Sequence, residues 1–286
     1  MPSTSNAGMP TYEDLVRRHR NQSSEEVFAH LGYAKDRDET WQTPYERLAA
    51  MAKPEDWNFQ RPEFKRDGQH FPILNNYLNY TFRRLQEQAK IVYSKDENRA
   101  CFNTGLQTPN EQDIYATFFR NKQAQARRQP DWILFNFFDS YSEKLSEFRP
   151  LPYIATYVDN PADLVLDTSF EIEFNYEHLI NENGDRLPGE LKNNRRLAIN
   201  AIRGSEELLK EKVARNYKVA IPHWYRGRIQ LLLPLNLSEG PDADLALVAE
   251  RDPSASLYRI RTALTMSMAY MNARLITRPD RDWLNP

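Results

Sequence analysis

The chain has 286 residues, with 38 Lys and Arg against 40 Asp and Glu, a net charge of −2 and a pI near 6.3. No global basic excess exists, so nucleic-acid binding would need a local patch. The single cysteine, Cys101, excludes an internal disulfide and any zinc cluster built on several cysteines.

Aromatic residues are plentiful (15 Tyr, 14 Phe, 5 Trp) while the mean hydropathy is −0.76. That combination describes a globular protein with a charged surface rather than a disordered chain. Met1 to Pro10 is small and polar and is expected to be disordered; it lacks the apolar core of a secretory signal. No apolar run approaches the ~20 residues that span a bilayer, and the cytoplasm is the expected compartment.

From Tyr12 to Met51 the text is charged and helical in pattern (YEDLVRRHR, SSEEVFAHLGY, TPYERLAAMA), with Ser24 and Thr43-Pro44 as helix openers. We expect a helical N-terminal arm there, able to dock a protein partner through residues 12–51. Lys53 to Phe71 has no period and is expected to be an extended strap. Residues 1–71 are thus arm and strap, and residues 72–286 the main α+β domain, with a mixed or largely antiparallel sheet and packed helices.

Pro72 to Lys90 places Leu74, Tyr77, Leu78, Thr81, Phe82, Leu85 and Ala89 at helical spacing. IVYS and ACFN flank a polar turn and predict a β-hairpin. Thr108, Pro109 and Glu111 spell a capping box, and Ile114, Tyr115, Phe118 and Phe119 then fall on one helical face, so a helix is predicted from Thr108. A basic, glutamine-rich loop (NKQAQARRQP) leads to the strand WILFNFF and a short helix, SEKLSEF.

Pro152 to Val158 and Leu164 to Phe174 are predicted strands, followed by a helical turn up to Ile180. Pro188 to Tyr217 is a long helical region in which Gly204-Ser205 is the expected break point. The last third is strand-rich: Lys218 to Ile221, RIQLLLPLNL, DLALVAE and LYRIRTAL. In the final strand Arg259 and Arg261 share a face. Met266, Ala269, Tyr270 and Ala273 mark a closing helix. No sequence repeat is visible.

Several groups of residues can carry chemistry. Asn103, Thr104 and Gly105, standing before the predicted helix, can offer an anion both backbone and side-chain donors; a tight turn needing positive φ at glycine is the competing reading, and the stronger one. Arg215 and Lys218 sit where a helix enters a buried strand, near a sheet end where ligands often bind, although a solvated face with i,i+4 pairing is the stronger reading for the charged residues of that region. Asn272 and Arg274 can each bond a base edge or a phosphate in bidentate fashion, or simply tie the last helix to neighbouring loops.

The five histidines show no metal-ligand spacing, so no metal site is expected. His223, in IPHWY, can serve as an acid–base group, although a packed aromatic turn explains it better. Asp163, Asp167, Glu171 and Glu173 can face Mg²⁺ or water, and water is favoured. Neither a G-x-G-x-x-G nor a Walker A sequence nor a G-x-S-x-G elbow is present. No cofactor is indicated.

Five blocks in order (PILNNYLNYTFRRL; FNTGLQT with EQDIYATF; NYKVAIP with RIQLLLPLNL; ADLALV; TMSMAYMNARLI with a terminal RPDRDWL) resemble a bacterial family catalogued as a domain of unknown function. Such domains occur beside RNA-associated modules, LOTUS-type winged helices and cold-shock domains among them. The resemblance therefore implies an RNA-related setting, without fixing a chemistry.

The expected function is a nucleic-acid-associated protein binding RNA or a nucleotide, with Arg215, Lys218, Arg259, Arg261, Asn272 and Arg274 as contacts. The alternatives are an enzyme acting on a small phosphorylated or nucleotide ligand, using Asn103, Thr104, Gly105, Tyr225, Asn272 and Arg274, and a non-catalytic protein-interaction module. No membrane contact is expected.

Overall fold

A computed structural model describes residues 10–18, 21–32, 34–35, 41–58, 71–240 and 242–276. Most of the expected strap, His19, His70, the first nine residues and the RPDRDWL block lie outside the described residues. The described chain falls into two compact units, residues 10–58 with 71–156, and residues 157–276. The architecture is α+β throughout, with a five-stranded mixed sheet in each unit. Among the described residues no helix is long and apolar enough to cross a membrane.

In the first unit, strand β1 (Ala29–His30) precedes a two-residue pair, β2 (Ala34–Lys35) with β3 (Trp41–Gln42), and helices α1 (Pro44–Met51) and α2 (Pro72–Glu87). Strands β4 (Val92–Tyr93), β5 (Arg99–Gln107), β6 (Asp113–Arg120) and β7 (Trp132–Asp139) then form an antiparallel meander, with a single turn of helix, α3 (Ala124–Arg127), between β6 and β7. The sheet order is β1-β7-β6-β5-β4, and β1 runs parallel to β7. Helix α1 begins at the predicted Thr43 with a complete capping box to Glu46. Helix α2 buries Leu74, Tyr77, Leu78, Thr81, Phe82 and Leu85 of the stripe read from the sequence, but it ends at Glu87, and Ala89, the last residue of that stripe, is exposed beyond it with φ +52°.

Two expectations fail in this unit. The segment from Thr108 is no helix: Thr108 to Gln112 is the turn of the β5–β6 hairpin, with the Gln112 N–H donating to the Thr108 hydroxyl (3.2 Å). The residues after it are strand β6. DIYATFFR is rich in aromatic and β-branched residues, which favour a pleated surface. Both faces of β6 are covered over most of its length, and the resulting apolar run imitates a helical stripe.

Residues 12–18 and 21–29 are not helical either. Tyr12, Leu15, Val27 and Phe28 enter the core, and long-range bonds to α2 hold the segment there. The fully buried Asn79 accepts from the Leu15 N–H (2.7 Å) and donates to Asp14 (2.5 Å), while the Gln86 amide exchanges two 2.9 Å bonds with the Tyr12 backbone. Those partners take the place of the intrahelical bonds that the local pattern predicted.

In the second unit, β8 (Glu171–Glu173) is followed by α4 (Tyr176–Asn183) and α5 (Arg195–Arg215), then by the meander β9 (Ile221–Tyr225), β10 (Arg228–Leu235), β11 (Leu245–Asp252) and β12 (Leu257–Leu264), and finally α6 (Met266–Ala273). The sheet order is β8-β12-β11-β10-β9, with β8 parallel to β12. Helices α4 and α5 cover one face through Leu179, Ile202, Leu209 and Val213, which meet Leu231, Leu233, Leu235 and Leu247. Each fully buried leucine contributes about 1.5–3 kcal/mol. Helix α6 packs against β9, β11 and β12.

Helix α5 runs unbroken through Gly204-Ser205, because the Ser205 hydroxyl donates to the Ala201 carbonyl (3.0 Å) within the helix instead of capping a new one. The strands predicted over 152–158 and 164–174 reduce to β8, with a 3₁₀ turn at Pro161–Leu164. Tyr217–Val219 is likewise a 3₁₀ turn and not a strand.

The two units share one topology. In each, a short strand leads through helices into a four-stranded antiparallel meander whose last strand lies parallel to that first one. Each ladder also carries a bulge at the same step. In the first, Thr117, Phe118 and Phe119 face Asn136, Leu134 and Ile133; in the second, Val248, Ala249 and Glu250 face Thr262, Ile260 and Arg259. The skipped residues are Phe135 and Arg261. A segment just after the last strand covers part of each sheet: the 3₁₀ stretch Glu143–Phe148 in the first unit and α6 in the second.

Candidate nucleic-acid interface

The residues singled out in the sequence divide between the units. Asn103, Thr104 and Gly105 lie in β5, where the ladder with β6 is irregular. Asn103 accepts from the Gly105 N–H (2.9 Å) and donates to Asp113 (3.1 Å); the Thr104 hydroxyl donates to the Ile114 carbonyl (2.7 Å) and accepts from the Leu106 N–H (3.2 Å). Gly105 has φ +74°, and a Cβ there would stand 2.6 Å from the Tyr77 hydroxyl. Glycine is required by both conformation and space. With no helix start beside them, these three residues build a corner of the sheet.

The other seven lie in the second unit. Arg215 pairs with Glu211 (2.7 Å) on an exposed helix face, and Lys218 is exposed in the turn after α5. Tyr225 and Arg226 stack at the tip of the β9–β10 hairpin, with the guanidinium 5.2 Å from the ring centre. Arg259 bonds Glu173 (2.8 Å) and Asp252 (3.3 Å), and Arg261 bonds Glu250 (2.8 Å), which also holds Arg228. Three arginines therefore meet three carboxylates, and the charge intended for phosphate is largely spent internally. Asn272 and Arg274 are half-buried at the end of α6.

Asp163 and Asp167 are paired, and His223 and Cys101 are buried. Asp163 and Asp167 both approach Arg251 (3.3 and 3.7 Å). His223 is buried in β9 with neither ring nitrogen hydrogen-bonded, and burial lowers its pKa to about 4, so the ring is neutral near pH 7. Cys101 is buried and its thiol is pushed upward by desolvation, which suits a small core residue and not a nucleophile.

The distinctive surface lies elsewhere, on the first sheet. One face of that sheet meets α2 through Phe102 and Phe118, which join Phe82 and Phe28 in a chain of ring contacts. On the opposite face Cys101, Tyr115 and Phe138 are packed under Leu145, Phe148 and Leu151. The cover stops there. Beyond it, Phe119 is 41% exposed and Phe135 43%, on adjacent strands, with ring centres 6.4 Å apart. Phe138 continues the row at 5.8 Å from Phe135, and the partly exposed Ile133 stands opposite Phe119 in the ladder.

Arg99 stands opposite Phe119 on the neighbouring strand and lies over the Phe135 ring at 5.8 Å, with Glu147 at 3.4 Å. The β6–β7 loop leaves the same end of the sheet and carries exposed Lys122, Arg127 and Arg128. Phe119 and Phe135 meet edge to face, with their planes 68° apart, so each ring together with the guanidinium over Phe135 and the basic loop can accept an unpaired base or its backbone. The sequence contained a signal for this. In the doublets Phe118-Phe119 and Phe137-Phe138, strand alternation sends the two rings of each pair to opposite faces. Reading the first doublet as helix concealed it.

Fold and surface together define an α+β protein of two topologically matched units, one with an open aromatic sheet face. Residues 48–283 match the family described as Domain of unknown function (DUF3825), and the chain belongs to that family. The comparisons with curated proteins and with solved structures give no match. Arg99, Phe119 and Phe135 all fall within the matched region.

Proposed function

We propose that this protein binds single-stranded nucleic acid, RNA in particular, by stacking bases on Phe119 and Phe135 of the first sheet. The observation that carries the reading is that contacting pair of phenylalanines, the most exposed apolar side chains among the described residues of that sheet. Two large apolar rings in water are a standing cost that a base removes. Arg99 supplies a guanidinium plane for a neighbouring base or a phosphate, and Lys122 and Arg127 lie where the backbone would leave the sheet. A role on RNA agrees with the expected cytoplasmic location. The internally paired arginines of the second sheet are assigned no part in it.

Fluorescence anisotropy with a labelled single-stranded RNA of about ten nucleotides tests the reading. Phe119→Leu with Phe135→Leu keeps apolar bulk and removes the flat faces. Base stacking is worth about 1–3 kcal/mol per base, so affinity should fall roughly tenfold or more, while the thermal melt stays near that of the parent. Unchanged affinity in this variant, or no RNA binding by the parent chain at low salt, defeats the proposal.

A further inference from the structure

Helix α5 covers the second sheet with Ala198, Ile202, Leu209 and Val213, and a second row of apolar and small residues runs along its outer side. Leu197, Ala201, Gly204 and Leu208 follow one another at steps of four, three and four residues, the spacing of a seam between paired helices. Leu197 is 42% exposed and Leu208 58%. Gly204, in the middle of the row, weakens the helix. Its chain neighbours and the helix backbone aside, no described atom stands within 4 Å of a Cβ built on it. No described neighbour needs that space; the close approach of a second helix would.

The charges beside the row carry the same message. Arg196 and Glu207 are three turns apart, hence on one flank of the row, and neither side chain has an ionic or hydrogen-bond partner among the described residues. The other charged side chains of α5 are all engaged, as Glu206 is with Lys210 (2.5 Å) and Glu211 with Arg215 (2.7 Å). Arg203 stands one turn before Glu207 and could pair with it, yet lies over the Tyr176 ring instead, 5.1 Å from its centre. About 16 Å of helix separates Arg196 from Glu207, so the two cannot meet within one chain.

We propose that this face of α5 binds a second copy of the chain, the two helices running antiparallel about a twofold axis. Leu197 then packs on Leu208 of the other copy, Ala201 meets its Gly204, and Arg196 comes level with its Glu207. Every contact occurs twice, so the small residues let the backbones approach while the leucines and the opposite charges close the seam on either side. Parallel helices would keep Arg196 about 16 Å along the axis from the other copy's Glu207, and the charge pattern therefore selects the antiparallel pair. Three turns of one helix pair make less than a standard interface of about 1,600 Å², which gives a weak, concentration-dependent dimer. The pairing uses none of the residues of the aromatic sheet face.

Sedimentation velocity of the full, RNA-free chain at roughly 10 to 500 µM and low salt tests the pairing, because small interfaces associate weakly and salt screens their charges. The weight-average mass should rise with concentration toward that of two chains. Leu197→Glu with Leu208→Glu should give a monomer throughout. Both leucines are exposed and glutamate favours helix, so the thermal melt should stay near that of the parent. Arg196→Glu brings like charges together across the seam and should weaken the dimer about tenfold. Adding Glu207→Arg exchanges the two charges and should return the affinity to near the parent value.

A chain that stays monomeric to about 500 µM overturns the proposal and leaves the row to a different partner. A dimer that the paired leucine change leaves intact overturns it as well. Equal weakening by the single and the exchanged charges overturns the antiparallel geometry, because charges at those two places can compensate each other only across the pair.

Discussion

The two sheets have the same strand order, the same parallel edge and a bulge at the same step, yet they present different chemistry at that step. In the first, Phe119 and the bulged Phe135 are uncovered and touch each other. At the matching places in the second stand Glu250 and the bulged Arg261, bonded to each other at 2.8 Å. An ion pair satisfies its own groups and asks little of a partner, whereas two exposed rings leave apolar area in water. Matched scaffolds thus separate what the fold requires from what the surface is for. The same ladder register accommodates either chemistry, so the topology by itself does not call for rings at Phe119 and Phe135.

The sharpest way to break this comparison is to move one chemistry onto the other scaffold. Phe119→Glu with Phe135→Arg should give the first sheet the ion pair of the second, keep the fold, and reduce RNA affinity about a hundredfold, equal to stacking energy of about 1–3 kcal/mol from each of two bases. Anisotropy measures the loss and circular dichroism checks the fold. If this protein unfolds, the rings are structural and the comparison fails.

A second change concerns the corner of β5, which has no required counterpart in the second ladder. Gly105→Ala should destabilise the first unit by about 1–2 kcal/mol, because it combines a left-handed φ with a clash at the Tyr77 hydroxyl. Urea unfolding measures it. An unchanged midpoint would show that the corner adjusts freely.

The smallest effect belongs to the second sheet. Burial opposes the charge on Glu250, but hydrogen bonds and attraction from Arg261 and Arg228 prevail and hold its carboxyl below the usual range. Its contribution is therefore present above the pKa of an unfolded glutamate, near 4.3, and is lost as pH falls through the lower folded value. Glu250→Gln should cost below about 1 kcal/mol at neutral pH and flatten the acid limb of a pH–stability profile. An acid limb identical to that of the parent would mean that the pair contributes nothing.

The sequence revealed elements whose patterns are local. The stripe of α2, the capping box of α1, the apolar runs of β10 and β11 and the closing α6 all declared themselves through spacing or caps. What stayed hidden was set by partners far along the chain. Tyr12 and Leu15 take their conformation from Gln86 and Asn79, and nothing in YEDLVRRHR announces those bonds. Strand β6 is covered on both faces for most of its length, which erases the alternation that would have identified it.

The matched topology was equally invisible. Equivalent positions carry unrelated side chains, Cys101 against Leu232 and Phe119 against Glu250, and only the ladder registers align them. Charge in the sequence points to Arg259 and Arg261, which the fold pairs with carboxylates, whereas Phe119 and Phe135 carry no charge to mark them.

The bulge has a further consequence for how such a surface can change. Phe135 and Arg261 are each the one residue of their strand that the neighbouring ladder skips. In one ladder that place holds a phenylalanine and in the other an arginine, while the pairing on either side continues in register. The extra residue acts as a socket that takes an aromatic or a cationic occupant without rethreading a strand.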